Sequence, residues 1–245
     1  RPHETFETSV RGTARILELA AGRNCRVILA SSSEVYGNIR TTALREDRPL
    51  PASYGSWPRA SYPEGKREAE RLLLEFTRSG GDGRIARLFN VSGPGQAWES
   101  GMVLPTFVHH ALMDLPLPLI GHGRDLRCFQ HVEDAVSGLC LLAGSDSARG
   151  RIVNLGSQES IEIRRLAARV LAVLGRKVPL VPVSSRDRYG ATATRCAQRV
   201  PDLERCRRLL GHRAALGLDR IILDIATSRA AVDTGPRAGR DRAVG

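Results

Sequence analysis

The stretch Cys25-Arg-Val-Ile-Leu-Ala-Ser-Ser-Ser-Glu-Val-Tyr-Gly37 decides the fold of this chain. Its apolar part, residues 25–30, is typical of a short strand that is buried on both faces of a sheet. The polar part, residues 31–37, follows directly, and open α/β sheets place their ligands at the carboxyl ends of their strands. The sequence therefore predicts an α/β protein with a ligand site beside residues 31–37.

A phenol and an amine occur together further along the chain, in Tyr62-Pro-Glu-Gly-Lys66. The pattern predicts a helix over residues 64–76 with Pro63 in its first turn, where the missing N–H costs little. Residues four apart share a helix face, so Lys66 is expected beneath Tyr62. A tyrosine titrates near pH ~10, and a nearby cation favours its phenolate. The pair is therefore predicted to take a proton from an alcohol.

Four further motifs follow in order: Arg87-Leu-Phe-Asn-Val-Ser-Gly-Pro94, Gly121-His-Gly-Arg-Asp-Leu-Arg-Cys-Phe-Gln-His-Val-Glu-Asp134, Val153-Asn-Leu-Gly156 and Arg199-Val-Pro-Asp202. With them the chain resembles the extended short-chain dehydrogenase/reductase family, in particular its nucleotide-sugar epimerases, dehydratases and decarboxylases. The resemblance implies a partial Rossmann-type, doubly wound parallel sheet with a smaller α/β substrate lobe.

The resemblance also implies a domain organisation. Residues 1–95 correspond to the C-terminal half of an NAD-binding Rossmann domain, residues 96–234 mainly to the substrate-binding lobe, and residues 235–245 to a disordered tail. No Gly-x-x-Gly-x-x-Gly turn precedes Ser31, and the chain begins at Arg1. Such a turn holds the dinucleotide pyrophosphate. We therefore expect an N-terminal truncation that removes the first βαβ units and leaves this chain by itself inactive.

Matching positions imply roles for individual residues. Those predicted to take part in catalysis are Ser32, Ser33, Glu34, Tyr62 and Lys66. NAD is the predicted cofactor, and the residues predicted to bind it are Tyr62, Lys66 and Phe89. The substrate is expected to be a nucleotide sugar, UDP-linked, in contact with Asn90, Arg127 and Arg199. Asp134 is predicted to cap a helix rather than to act in catalysis.

The residues between Ser32 and Val35 bear on the reaction. Dehydratases of the family carry Asp-Glu there, whereas Ser33-Glu34 in this chain resembles UDP-glucuronate decarboxylases and some 4-epimerases. Residues 59–70 also resemble the decarboxylases, but Gly95 stands where those enzymes usually carry Arg, and residues 101–108 resemble the epimerases. The favoured function is that of a UDP-glucuronate decarboxylase. The alternatives are a UDP-hexose 4-epimerase and a cofactor-free fragment that binds a nucleotide sugar without turnover.

The composition argues against other classes of protein. The net charge of +11 comes from arginines spread along the chain, with only five Phe, four Tyr and two Trp to stack on bases, so nucleic acid is not an expected partner. No apolar run is long enough to span a bilayer, and no metal-binding cluster accompanies the histidines. Five cysteines without paired spacing indicate a reducing, cytoplasmic location. The resemblance implies a homodimer.

Overall fold

The computed structural model describes residues 1–38, 43–55, 59–184 and 198–233, so the tail predicted at residues 235–245 lies outside the described part. The α-helices are Pro2–Ala21 (α1), Ser61–Arg78 (α2), Val103–Leu112 (α3), Val132–Gly144 (α4), Ile163–Leu174 (α5), Glu204–Leu210 (α6) and Leu218–Asp233 (α7). The strands are Arg26–Ser32 (β1), Asp82–Leu88 (β2), Val91–Ser92 (β3), Leu117–Ile120 (β4), Leu126–Cys128 (β5), Gln130–His131 (β6), Ile152–Leu155 (β7), Ser160–Glu162 (β8), Leu180–Val183 (β9) and Gln198–Arg199 (β10).

The main sheet is parallel, in the order β1-β2-β7. β1 and β2 pair along their whole length, from Arg26↔Asp82 to Ser32↔Leu88. Within the described residues β1 has no second neighbour, so one edge of the sheet is open there. Parallel pairing requires crossover connections, and α2 supplies the one between β1 and β2.

Helices cover both faces of this sheet. Ile85 of β2 packs with Leu17 of α1 and Leu73 of α2. The next residue, Ala86, packs with Leu142 of α4 in a cluster that α6 also joins. Successive residues of a strand point to opposite faces, so α1 and α2 lie on one face and α4 and α6 on the other. The doubly wound arrangement confirms the predicted fold class.

The smaller lobe is built on α3, α5 and α7. Their buried side chains form one cluster with β4, which includes Leu104, Phe107, Leu117, Leu166 and Ile222. β4 pairs with β9, and β5 lies between β10 and β8. The domain boundary near residue 95 stays a prediction. Beyond it, α4, β7 and α6 return to the main sheet. In the described part of the chain, no helix combines the length and apolar character needed to cross a membrane.

The start of α4 differs from the prediction. Asp134 is not the cap, because the helix starts two residues earlier, at Val132, and His131 caps it by accepting a hydrogen bond from the Glu133 N–H at 3.1 Å. The Asp134 carboxylate instead accepts hydrogen bonds from the N–H groups of Ala215 and Leu216, at 3.1 and 3.0 Å. Asp134 therefore has a structural role: it ties α4 to the segment before α7.

Candidate active site

The end of β1 carries the polar residues singled out in the sequence. β1 ends at Ser32, and a 3₁₀ turn follows over Ser33–Tyr36. The Ser32 side chain caps this turn by accepting a hydrogen bond from the Glu34 N–H at 3.2 Å. Ser33 is buried, whereas Ser32 and Glu34 are partly exposed. Ser32 and Glu34 are therefore the members of this group that are better placed to contact a ligand.

α2 places the phenol and the amine at the same end of the sheet. The helix begins at Ser61, so Tyr62 lies inside the first turn, although a residue before proline usually avoids helical geometry. The Lys66 ammonium lies 5.9 Å from the centroid of the Tyr62 ring and donates a hydrogen bond to the Ala30 carbonyl at 2.9 Å. Tyr62 and Lys66 are thus on one helix face, next to β1.

Burial dominates the electrostatics of this pair. It raises the pKa of Tyr62 above the ordinary 10.0, while a hydrogen bond with Ser32 lowers that pKa and the charge of Glu34 raises it further. Burial also lowers the pKa of Lys66, against the charge of Glu70. The expected acidification of the phenol by Lys66 is therefore not seen in this structure. The ammonium is bonded to a backbone carbonyl. The nearby cation that lowers the pKa of Tyr62 is Arg59, and desolvation of the phenolate outweighs its charge.

Gly65, between the phenol and the amine in the sequence, allows α2 to pack closely on α1. A Cβ placed on Gly65 would lie 2.9 Å from the Cβ of Ser9 and 3.4 Å from the Cα of Phe6. Such distances are shorter than ordinary packing contacts between carbon atoms. The close approach at Gly65 is therefore between two helices, and it fixes the height of α2 above the sheet.

Arg199 faces Glu34 at the edge of the site. Its Nη1 lies 3.8 Å from Glu34 Oε1, and the two side chains are only 9% and 16% exposed. The second carboxylate oxygen, Oε2, is buried and has no hydrogen-bond partner among the described residues. Sequence reasoning assigned Arg199 to the substrate phosphates and did not foresee this contact, because the two residues are distant in the chain.

Asn90 and Arg127 meet at β5. Asn90 Nδ2 donates to the Cys128 carbonyl at 2.8 Å. Arg127 donates to the Leu126 carbonyl at 2.8 Å, and its Nη2 lies 3.5 Å from Asp125 Oδ2. β5 pairs with β10, so the structure brings the three residues predicted to bind substrate to one pair of strands. Their contact with a substrate stays a prediction.

The burial of Phe89 argues against the predicted contact with NAD. Phe89 is fully buried and packs with Val35, Tyr36 and Leu44. Gly156 closes over it, since a Cβ on Gly156 would lie 2.9 Å from the Phe89 Cβ. The ring is therefore inaccessible to a ligand, and it supports the turn that carries Glu34. The motif could not tell whether this side chain faces the core.

A buried ion pair beneath the site was missed in the sequence. Glu70 accepts hydrogen bonds from Arg87 at 2.9 and 2.7 Å and from the Ser31 hydroxyl at 2.5 Å. The Arg87 guanidinium also lies 4.7 Å from the centroid of the Tyr36 ring. An arginine in a buried strand requires a partner, and Glu70 lies one turn beyond Lys66 on the same helix. These two signals together could have predicted the pair.

The fold and the site together define a class of protein. A doubly wound parallel sheet, a serine at the carboxyl end of one of its strands and a Tyr-x-x-x-Lys helix beside it are the arrangement of short-chain dehydrogenases/reductases. Within that class, the model of the NAD dependent epimerase/dehydratase family matches residues 1–156. The chain belongs to this family.

Individual relatives agree with this assignment. The chain is 31% identical over 226 residues to UDP-glucuronic acid decarboxylase 1 of Danio rerio, and 32% identical over 232 residues to UDP-glucuronic acid decarboxylase 1 of Arabidopsis thaliana. The alignments cover 89% and 91% of this chain but 50% of each relative. The chain thus spans about half the length of the curated relatives it matches.

Solved structures support the same fold. MoeE5 in complex with UDP-glucose and NAD matches with a TM-score of 0.79 and 26% identity, over 92% of this chain and 72% of that chain. Pal from Bacillus thuringiensis matches with a TM-score of 0.83 and 23% identity, over 94% of this chain and 70% of that chain. The Rossmann-type fold predicted from the sequence is therefore confirmed.

Proposed function

We propose that this chain carries the catalytic and substrate-binding groups of an NAD-dependent enzyme that modifies a nucleotide sugar by transient oxidation at C4. The favoured reaction is decarboxylation of UDP-glucuronate. One observation carries the proposal: at the carboxyl end of β1, Tyr62 lies close enough to Ser32 for that hydroxyl to lower the pKa of the phenol, and the Lys66 ammonium lies 5.9 Å from the centroid of its ring. The UDP-glucuronic acid decarboxylases among its relatives support the choice of substrate.

The residues present fit the nicotinamide–ribose end of NAD. Lys66 brings an ammonium next to Tyr62, and an ammonium has three donors, of which the Ala30 carbonyl takes one. The others are suited to ribose hydroxyls. No glycine-rich turn leads from a strand into a helix ahead of β1 in the described residues, so they do not include groups for the pyrophosphate. When bound, NAD would accept the hydride that leaves C4 of the sugar and would later return it.

Proton transfer is the task of the chain's own side chains. The proximity of Ser32 to Tyr62 allows Ser32 to hold the C4 hydroxyl oxygen while the Tyr62 oxygen takes its proton. With a ketone at C4, the C6 carboxylate of glucuronate becomes part of a β-keto acid. Its loss as CO₂ leaves an enolate that is protonated at C5. Glu34 lies next to this pair. Its Oε2 lacks a partner in the described residues and is suited to transfer the proton to C5.

The substrate's anionic groups are assigned to Asn90 and Arg127. Arg127 lies on β5, opposite Arg199 of β10. Guanidinium groups bind phosphate oxygens in bidentate fashion. A homodimer through α1 and α2 is also proposed, since Ile16 and Leu19 on α1 are both 54% exposed.

A UDP-hexose 4-epimerase is the second candidate, and Gly95 favours it. Gly95 has φ +75°, and nothing lies within 4 Å of a Cβ placed on it. The position therefore offers space but no side chain to bind a sugar carboxylate. A protein that binds the nucleotide sugar without turnover is the third candidate.

The deciding experiment follows a labelled carbon. The complete reading frame that contains this chain is expressed and incubated with NAD and UDP-glucuronate that carries ¹⁴C at C6. Labelled CO₂ together with UDP-xylose supports the decarboxylase. Interconversion of UDP-glucose and UDP-galactose without labelled CO₂ would establish the epimerase. Binding of UDP with neither reaction would leave a binding protein. Tyr62→Phe serves as the control, because it removes only the phenolic hydroxyl.

A further inference from the structure

Arg199 is held in place from two sides by backbone contacts. β10 pairs with β5, which sets Arg199 opposite Arg127. On the other side, the Leu44 N–H donates to the Val200 carbonyl and the Asp202 N–H donates to the Leu44 carbonyl, both at 2.9 Å. The guanidinium therefore projects from a segment that is anchored to the main-sheet side of the molecule as well as to the smaller lobe.

This anchored guanidinium meets the Glu34 carboxylate. The distance of 3.8 Å between Nη1 and Oε1 is an ion-pair separation, longer than a hydrogen bond. The Arg199 side chain is only 9% exposed, and a guanidinium removed from water requires a counter-charge. Glu34 provides that charge. The pair therefore joins a residue of the smaller lobe to the turn that follows β1.

The contact makes the two oxygens of Glu34 unequal. Oε1 faces Arg199, whereas Oε2 is buried and without a hydrogen-bond partner in the described residues. The backbone of Glu34 is fixed as well, since its N–H donates to the Ser32 hydroxyl oxygen at 3.2 Å. Ser32 is the same serine that lowers the pKa of Tyr62 by its proximity. One carboxylate oxygen is thus held by Arg199, and the other has no hydrogen-bond partner of its own in the described residues.

We infer that Arg199 is a positioning residue for Glu34. Its charge holds Oε1 and so orients Oε2 toward the reacting sugar. The inference deepens the proposed function and rests on it. It also gives Arg199 a task that differs from direct binding of the substrate's phosphates, and the two tasks have different consequences for substitution.

A double-mutant cycle separates these tasks. Glu34→Gln, Arg199→Gln and the double variant are compared with the unsubstituted protein, expressed from the complete reading frame, for kcat and KM. A residue that acts through Glu34 has no further effect once Glu34 is gone. We expect Arg199→Gln to lower kcat on the order of 10²-fold with little change in KM. The double variant should be no slower than Glu34→Gln, whereas losses that multiply would overturn the inference.

Two further variants sharpen the cycle. Arg199→Lys keeps the charge but not the planar fork, so it should recover part of the lost kcat. Arg205→Gln is the matched control and should leave kcat within about twofold. Arg205 lies 3.9 Å from the buried Glu46 in another arginine–glutamate contact, in which the arginine is 26% exposed. UDP affinity, measured by calorimetry, should be unchanged in Arg199→Gln. A loss of UDP affinity on the order of tenfold or more would return Arg199 to the phosphates and refute the inference.

The inference can fail separately from the proposed function. If the unsubstituted protein shows no turnover, the proposed function fails, and the same four proteins are compared by urea unfolding. Contact between the two side chains then appears as a non-additive shift of the unfolding midpoint. Additive shifts would show that Arg199 does not act on Glu34, whatever reaction the protein catalyses.

Discussion

The buried pair of Glu70 and Arg87 allows a sharp test of how α2 is held. Glu70→Gln keeps the shape of the side chain and removes its charge. The Arg87 guanidinium, whose side chain is 3% exposed, then loses the carboxylate that accepts its hydrogen bonds at 2.9 and 2.7 Å. Burial lowers the pKa of Arg87, but the hydrogen bonds and charge of Glu70 outweigh burial and raise it overall. Breaking such a pair costs about 3–5 kcal/mol of unfolding free energy.

Urea unfolding followed by circular dichroism measures this cost. With a slope of roughly 3 kcal/mol per molar urea, the midpoint should fall by about 1 M or more. Glu68→Gln is the matched control on the same helix, because Glu68 and its partner Arg71 are 33% and 53% exposed. Its cost should stay below about 1 kcal/mol. A double variant with Met at both Glu70 and Arg87 should recover much of the loss, since no unpaired charge remains buried.

Equal costs for Glu70→Gln and Glu68→Gln would refute the reasoning. They would mean that water reaches Arg87 in the variant, or that the pair adds nothing beyond a surface contact. A full loss in the double Met variant as well would point to packing rather than charge. Either result would remove the physical basis for treating this pair as the anchor of α2.

Three other predictions can be checked on the same protein. Tyr62→Phe should lower kcat by about 10²–10⁴-fold while the unfolding midpoint stays nearly constant; normal turnover would show that the phenol takes no proton. Burial raises the pKa of Tyr54 to about 12, so its neutral form stabilises the fold fully below pH ~10 and that contribution is lost as the pH rises toward about 12. The free energy of unfolding measured across this pH range should fall less in Tyr54→Phe than in the unsubstituted protein. Equal falls would contradict the raised pKa of Tyr54. Gly65→Ala should lower the free energy of unfolding by about 1–3 kcal/mol, because the added methyl group meets Ser9. Adding Ser9→Gly should restore part of this loss. Gly12→Ala, whose methyl group would have nothing within 4 Å, should not destabilise the protein.

Local sequence patterns predicted the first strand and the helix after it, whereas the doubly wound topology was implied by the family resemblance. The strand predicted at residues 25–30 was found at Arg26–Ser32, and the helix predicted over residues 64–76 was found at Ser61–Arg78. The strands of two or three residues, such as β3 and β10, were not predicted. They exist because a distant partner pairs with them, and nothing local marks them.

The site was predictable where residues are close in the chain. Tyr62 and Lys66 share a helix face because helical spacing places them there. The partner of Arg199 was not predictable, since its contact with Glu34 depends on how two lobes meet. The raised pKa of Tyr62 was also missed, because burial, which decides it, is a property of the packed structure. The cap at His131 was missed because helix ends shift by one or two residues.

The backbone bonds between Leu44 and residues 200 and 202 have a consequence for synthesis on the ribosome. The turn that carries Glu34 is made early, but the guanidinium that faces it emerges only after the intervening strands and helices have been translated. Until then the nascent chain exposes that carboxylate to water, and the two lobes have no tether at this point. Closure of the site is therefore a late event in biogenesis, and translation arrest before residue 199 should leave Glu34 without its counter-charge.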